Sequence, residues 1–276
     1  MTVFDLLLPA FIASLILTGI HAYLGVHVVE RGVIFVDLSL AQIAALGTTV
    51  AYLLGYDLHS TGSYLCSLAF TFLGAAVFAL SRVHHKTRIP QEAIIGIAYA
   101  VAAALSILVM SKATQETEHL KEMLVGNILS VTWAEIAKTA VLYSLVGAFH
   151  YIFRERFLLI SMNPEEAERR GWNVRFWDFL FYVSFGFVVT SSVAIAGVLL
   201  VFCFLIVPSV AAMLFARRLR TRLAIGWTLG SLVSAAGVAL SFQLDLPTGA
   251  TIVATFGGAL LLVAGMRLLL PGWMRG

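Results

Sequence analysis

The sequence predicts an all-α fold, a polytopic integral membrane helix bundle of about nine transmembrane helices (eight to ten) in a single domain over residues 1–276. Three observations predict it. Of 276 residues, 60% are hydrophobic and only 12% are charged, against about 25% charged in soluble domains. Mean hydropathy is +0.94, and the apolar residues fall in runs of about 20, the length at which a helix crosses hydrocarbon with its backbone groups satisfied internally. Finally, Lys and Arg collect in alternate polar breaks between the runs, as expected where cytoplasmic loops retain positive charge.

The runs cover residues 6–29, 33–54, 62–81, 90–111, 134–153, 179–195, 198–216, 223–243 and 249–270. The first lacks a preceding basic stretch and outlasts the apolar core of about 7 to 15 residues found in a cleaved leader, so it reads as a retained span. Between the sixth and seventh only Ser191, Ser192 and Gly197 offer a place to turn, which leaves one long, broken pair as the alternative. In the eighth run Gly226, Gly230 and Ser234 recur every four residues and permit close helix contact, and Ala254 and Gly258 invite the same reading in the ninth. The segment from Met123 to Val131 is too short to cross, and reads as a re-entrant or surface-lying piece or as an ordinary loop helix. Cys66 and Cys203 lie inside apolar runs, which suggests neither a disulfide nor a thiolate metal site.

The layout puts the N-terminus outside and the C-terminus inside. Of the 18 basic residues, only Lys112, Lys121 and Lys138 then face outward. Topology accounts for the net charge of +3, so no nucleic-acid partner is implied; the surrounding partner is membrane lipid.

The longest polar interruption runs from Arg154 to Asp178 and must sit outside the lipid. It carries the signals of its own short helix over about residues 163–173. Asn163 is an N-cap, Pro164 fits the first helical position, and Glu165 and Glu166 suit the positive helix end. Ala167 follows, and Arg169, Arg170 and Gly171 close the helix. One capped, charged helix inside a membrane chain reads as a surface built to be pushed by a soluble partner. No G-x-x-x-x-G-K-[ST] occurs, nor any Gly-Lys pair, so the chain does not hydrolyse ATP by itself. H-E-x-x-H and G-x-S-x-G are also absent, which disfavours a membrane-embedded hydrolase. His84 and His85 sit in a basic inner loop and read as a solvated pair.

Ionisable groups inside spans cost about 2.5–3.5 kcal/mol each at the centre, which makes each a functional candidate. Asp37 lies one turn inside the inner surface, Gln42 follows about one and a half turns later, and Glu92 enters the fourth span at similar depth. Two carboxylates at matching depth can form a cation-binding pair, with His21 above them near mid-membrane. Structural readings stand beside this one. Asp37 could cap the second span or pair with Arg31, Glu92 could serve the helix start after Pro90, and His21 could be a satisfied core group. His27 and His150 are expected near the inner surface, against headgroups or loop groups.

Six segments in order then resemble one known family. They are ERGVIFVDLSLAQIAALG at 30–47, QEAIIGIAYAVAAAL at 91–105, MLVGNILSVTWAEI at 123–136, NPEEAERRGWN at 163–173, GVLLVFCFLIVPSVAAML at 197–214 and VALSFQLDLPTGATIV at 238–253. Together they resemble the permease subunits of ABC importers for zinc, manganese and iron. The resemblance implies a homodimer forming the pore, in a prokaryotic plasma (inner) membrane. It implies a cytoplasmic ATP-binding subunit docked on the helix around Pro164–Gly171, and an extracytoplasmic metal-binding protein that delivers the ion. No cofactor is held permanently; the divalent ion, zinc or manganese and possibly iron, is cargo. One departure matters. Family members carry a histidine a few residues after the acid matched by Asp37, and here the place reads Leu40, Ala41, Gln42. Either His21 substitutes, or Asp37 and Glu92 hold the ion loosely with water, or the cargo differs. A permease for a metal chelate and a stand-alone cation-coupled carrier are the competing readings.

Overall fold

The computed structural model describes residues 3–57, 60–82, 89–111 and 128–269. The described residues are helical throughout, without strands. In chain order they form α1 (Val3–Arg31), α2 (Val36–Leu53), α3 (Thr61–Leu80), α4 (Gln91–Met110), a single 3₁₀ turn at Ile128–Ser130, α5 (Trp133–Ile152), α6 (Arg154–Met162), α7 (Pro164–Arg169), α8 (Val174–Phe215), α9 (Leu219–Leu244) and α10 (Thr248–Leu269). Seven of these helices are long and apolar enough to cross a membrane, and α5 joins them when counted with α6, against which it bends by 76°.

The remaining pass comes from α8. Its 42 residues would measure about 63 Å if straight, twice the roughly 30 Å of a bilayer core. The helix breaks instead at Gly197, with φ 75 and ψ 162, a conformation open to glycine but strained for residues with a side chain. Contacts with α1 show that the two halves run in opposite senses. Asp178 lies by Arg31 and Ser192 by His21. Beyond the break, Ser209 reaches the Ala22 carbonyl and Ala216 is joined through Arg222 to Glu30, so the chain heads back toward the end of α1 where Arg31 sits. The expected sixth and seventh spans are thus two antiparallel helices joined directly at Gly197.

α1 and α8 form the centre. Leu17, Leu24, Phe181, Phe185, Leu200 and Phe204 are fully enclosed there. α2 and α3 pack as an antiparallel pair so close that a methyl on Gly47 would sit 2.8 Å from the Ser67 backbone. The stripe in α9 works as its spacing predicts: Gly226 and Gly230 face Ala22, Thr18 and Pro208, and Trp227 Nε1 donates to the Gly19 carbonyl at 2.9 Å. α10 differs from expectation. Ile252 and Phe256 turn inward while Ala254 and Gly258 are exposed, because Gly237 of α9 receives the Ile252 backbone and makes the close approach from its own side.

Polar side chains in the spans mostly satisfy themselves locally. Ser14, Thr71, Ser106 and Ser234 each donate to the carbonyl four residues back, which satisfies these hydroxyls inside their own helices. The hydroxyls of Thr18, Ser39 and Ser63, by contrast, are buried without a partner among the described residues. Cys66 and Cys203 are free thiols in partly buried positions. Of the segment from Met123 to Val131, only the turn at its end is described, and His84 and His85 lie outside the described residues.

Gly25 tests the central contact. A side chain there would drive into the Leu205 carbonyl oxygen and the Ser209 hydroxyl of α8, so Gly25→Leu should destabilise the protein by about 1–3 kcal/mol. Gly19→Ala, on the same helix with open space at the new methyl, should not lower the melting temperature. Thermal unfolding of the detergent-purified protein separates the two.

Candidate cation site and coupling helix

The segment joining α1 to α2 links the stretch that carries Asp37 to the start of α4, which carries Glu92. Gly32, at φ 66, lets the chain turn sharply after Arg31, and α2 begins four residues later with Asp37 in its first turn. Phe35 donates its backbone N–H to Glu92 Oε1 at 2.9 Å, so the start of α4 is pinned two residues before Asp37. Asp37 is 1% exposed. Both its carboxylate oxygens, and Oε2 of Glu92, are buried without a hydrogen-bond partner among the described residues. Asp37 does not pair with Arg31, whose guanidinium is held elsewhere, and its side chain does not cap α2. Glu92 serves the α2 approach as well as the first turn of its own helix.

Gln42 lies about one and a half turns further along α2 and donates its amide N–H to Ser106 Oγ of α4 at 3.4 Å. That contact ties α2 to α4 along the wall above the acids.

His21 belongs to a second polar group. Its Nδ1 is 2.7 Å from the Leu17 carbonyl. Because a carbonyl only accepts, the neutral ring carries its proton on Nδ1 and presents the Nε2 lone pair to the Ser192 hydroxyl, 3.2 Å away. Tyr143 of α5 hydrogen-bonds the same Ser192 and receives the hydroxyl of Ser191 at 3.3 Å. The Asp37 carboxylate lies within electrostatic reach of Tyr143. Even so, no three His, Cys, Asp or Glu side chains gather closely enough to hold a metal among the described residues. His21 therefore stands beside the acid pair and does not complete a three-ligand set with it.

The surface helix forms as its residues dictate. Asn163 Oδ1 accepts from the Glu166 N–H at 3.1 Å, Pro164 opens α7, and Gly171 at φ 74 ends the turn that follows. Arg170 bonds Glu166 through Nε at 3.0 Å and Glu155 through Nη1 at 3.4 Å, while Arg169 pairs with Glu166. Only Ala167 is enclosed, packed with Ile160 of α6 and Val174 of α8 beside Trp172 and Trp177. α7 is thus clipped between two helices by one small side chain, and its charged face is open. The nine-residue α6 before it, with Phe157, Ile160 and Ser161 buried, is absent from the sequence reading, which treats the whole polar interruption as surface.

His27 and His150 take the second of their expected surroundings, groups of the segment between α5 and α8, and not headgroups. Both are 1% exposed, enclosed with Tyr23, Phe157 and Phe181. His27 Nδ1 lies 2.8 Å from Ser161 Oγ, and His150 Nε2 lies 2.8 Å from Ser184 Oγ. Sequence reasoning also passed over Asp178, which is fully buried and bridges Arg31 and Arg82. The signal was available: an acid inside the aromatic run Phe176–Trp177–Asp178–Phe179 cannot face lipid unpaired.

Comparison with known proteins follows the same outline. A family model described as the ABC 3 transport family matches residues 3–267. The manganese transport system membrane protein MntC of Listeria innocua is 28% identical over 250 residues, covering 91% of this chain and 86% of its own. The manganese import system permease protein ScaB of Streptococcus gordonii is 25% identical over 256 residues, covering 91% and 88%. Among solved structures, PsaBC from Streptococcus pneumoniae in complex with Fab superposes with a TM-score of 0.78 at 23% identity, over 95% of this chain and 91% of that one. That likeness carries the fold.

The N-cap gives a direct test of α7. Asn163→Ala removes the side-chain acceptor for the Glu166 N–H, a loss of about 1 kcal/mol, so exchange of the backbone amides in α7 should speed up about fivefold. Hydrogen–deuterium exchange resolved to this helix measures it, with α9 as the unchanged reference.

Proposed function

The chain belongs to the ABC 3 transport family, and on that premise we propose that it is the membrane-spanning subunit of an ATP-driven importer for a divalent first-row metal ion. It is a multi-pass protein of the prokaryotic plasma membrane. ATP is hydrolysed by a separate cytoplasmic subunit seated on the open face of α7, two permease copies form the pore, and an extracytoplasmic binding protein supplies the ion.

One observation carries the reading of the cargo. Three buried carboxylate oxygens, two on Asp37 and one on Glu92, are without hydrogen-bond donors among the described residues, and the backbone amide of Phe35 holds the other oxygen of Glu92 two residues before Asp37. Orphaned carboxylate oxygens in a low-dielectric site are tolerated when a cation or proton visits them. A divalent ion stripped of part of its water finds two anionic groups there. The water it keeps supplies the remaining ligands. Each acid contributes an oxygen donor, and the stretch from Leu40 to Gln42 that follows Asp37 holds no imidazole. Oxygen donors suit manganese better than zinc, and the names of MntC and ScaB, manganese transport proteins, support the same choice.

Transport follows from alternating access. Nucleotide binding in the partner displaces α7, and α6 and the first turn of α8 carry the displacement into the bundle, since Ala167 is packed against both. The pore then opens the acid pair to one side at a time.

Reconstituted uptake tests the proposal. In vesicles holding the assembled permease and ATPase with the binding protein, Asp37→Ala and Glu92→Ala should each lower ATP-dependent manganese uptake at least tenfold with complex assembly intact. Uptake at the wild-type level in both variants would sink the acid pair as the ion's route. Uptake that continues without the ATPase under an ion gradient would sink the ATP-driven reading.

A further inference from the structure

We propose that Arg31, gripped by Asp178 on one side and Ser161 on the other, is the joint that passes motion of the surface helix α7 to the cation-handling segment around Asp37. The inference rests on the proposed docking of an ATPase at α7 and goes beyond it by naming the residues that carry the force.

The geometry is specific. Arg31 ends α1, and its side chain is 3% exposed. Nη1 donates to Asp178 Oδ1 at 2.5 Å, Nε donates to Ser161 Oγ at 2.8 Å, and the guanidinium carbon lies 4.0 Å above the Phe181 ring. Ser161 accepts from Arg31, so its own proton is free to go to His27 Nδ1, 2.8 Å away on the same α1. One hydroxyl of α6 is therefore bonded twice to α1. Asp178 uses its second oxygen for Arg82, just past the end of α3.

These contacts flank α7 in sequence. Ser161 stands two residues before its N-cap Asn163, and Asp178 lies one turn beyond Val174, which packs on Ala167 of α7. α7 cannot shift without moving Ser161, Asp178 or both, and each holds the same guanidinium. From Arg31 the path to the acids is short. Gly32 turns the chain at φ 66, the Phe35 amide is bonded to Glu92, and Asp37 follows. Arg82 couples α3 to the same carboxylate, so α2's packing partner moves with it.

A buried ion pair is poor at adding stability but good at holding one arrangement, because a partial break leaves charge unpaired in a low-dielectric place. A joint of this kind has discrete states and does not yield gradually. A mere staple would show in folding alone. A joint shows in the link between hydrolysis and transport.

The test uses the reconstituted permease, ATPase and binding protein, reading manganese uptake and ATP hydrolysis together. Ser161→Ala removes one hydroxyl, and Asp178→Asn removes the charge that pairs both arginines. In each assembled variant, manganese imported per ATP hydrolysed is expected to fall at least tenfold while hydrolysis continues at a rate within about twofold of wild type. The double variant should fall no further than Asp178→Asn alone, since both act through Arg31. An unchanged ratio in assembled Ser161→Ala overturns the joint, as does a proportional drop in uptake and hydrolysis; Ser161→Ala decides alone if Asp178→Asn does not assemble. A wild-type complex that shows no ATP-dependent uptake removes the function proposed above, a result distinct from a working wild type whose variants stay coupled.

Discussion

A carboxylate enclosed at the inner edge of a membrane bundle must find positive charge, and Asp178 finds it twice, from Arg31 and Arg82. That single requirement fixes where three helices meet. Arg31 ends α1, Arg82 follows α3, and Asp178 opens α8, so the ends of helices far apart in sequence are gathered at one point. The same end of the bundle holds the pair between Arg222 and Glu30, joining α9 to α1. Basic residues that the sequence places at the edges of spans are, at these positions, internal partners as well as markers of sidedness.

The apolar part of the fold obeys a different constraint. Hydrocarbon surrounds these helices, so burial of apolar surface contributes little to their association, and close fit decides instead. Small residues mark several of the close contacts: Gly25 against α8, Gly47 against α3, Gly230 against α1 and Gly237 against α10. Gly197 does something else, since it reverses a helix. The two halves of α8 then lie on α1 from opposite senses, which makes α1 the central element although nothing in its own composition marks it as such.

At the acids, the stretch that leads into α2 is bonded to Glu92 through the Phe35 amide, two residues before Asp37. The imidazole of His21 is committed to Leu17 and Ser192 in a separate group with Tyr143. On the proposed reading the ion meets the oxygens of Asp37 and Glu92, and His21, committed to other partners, adds no imidazole to them. Softness of the ligand set, more than affinity, distinguishes such a site from one suited to zinc.

Much was legible from residues alone because the signals are local. Span length, the basic bias of alternate loops and the cap residues from Asn163 to Gly171 each act within a turn or a bilayer thickness, so spacing suffices to read them. The acids announced themselves by cost, being charged groups in apolar runs. What only the tertiary structure decided are the partnerships: that Asp178 binds two arginines 147 and 96 residues away, that Ser161 and His27 meet across 134 residues, and that His150 is enclosed by aromatic rings. Side chains such as these are polar in any sequence window. Whether each meets water, a headgroup or an opposite charge depends on which helix ends the packing brings together, and that is a property of the whole bundle.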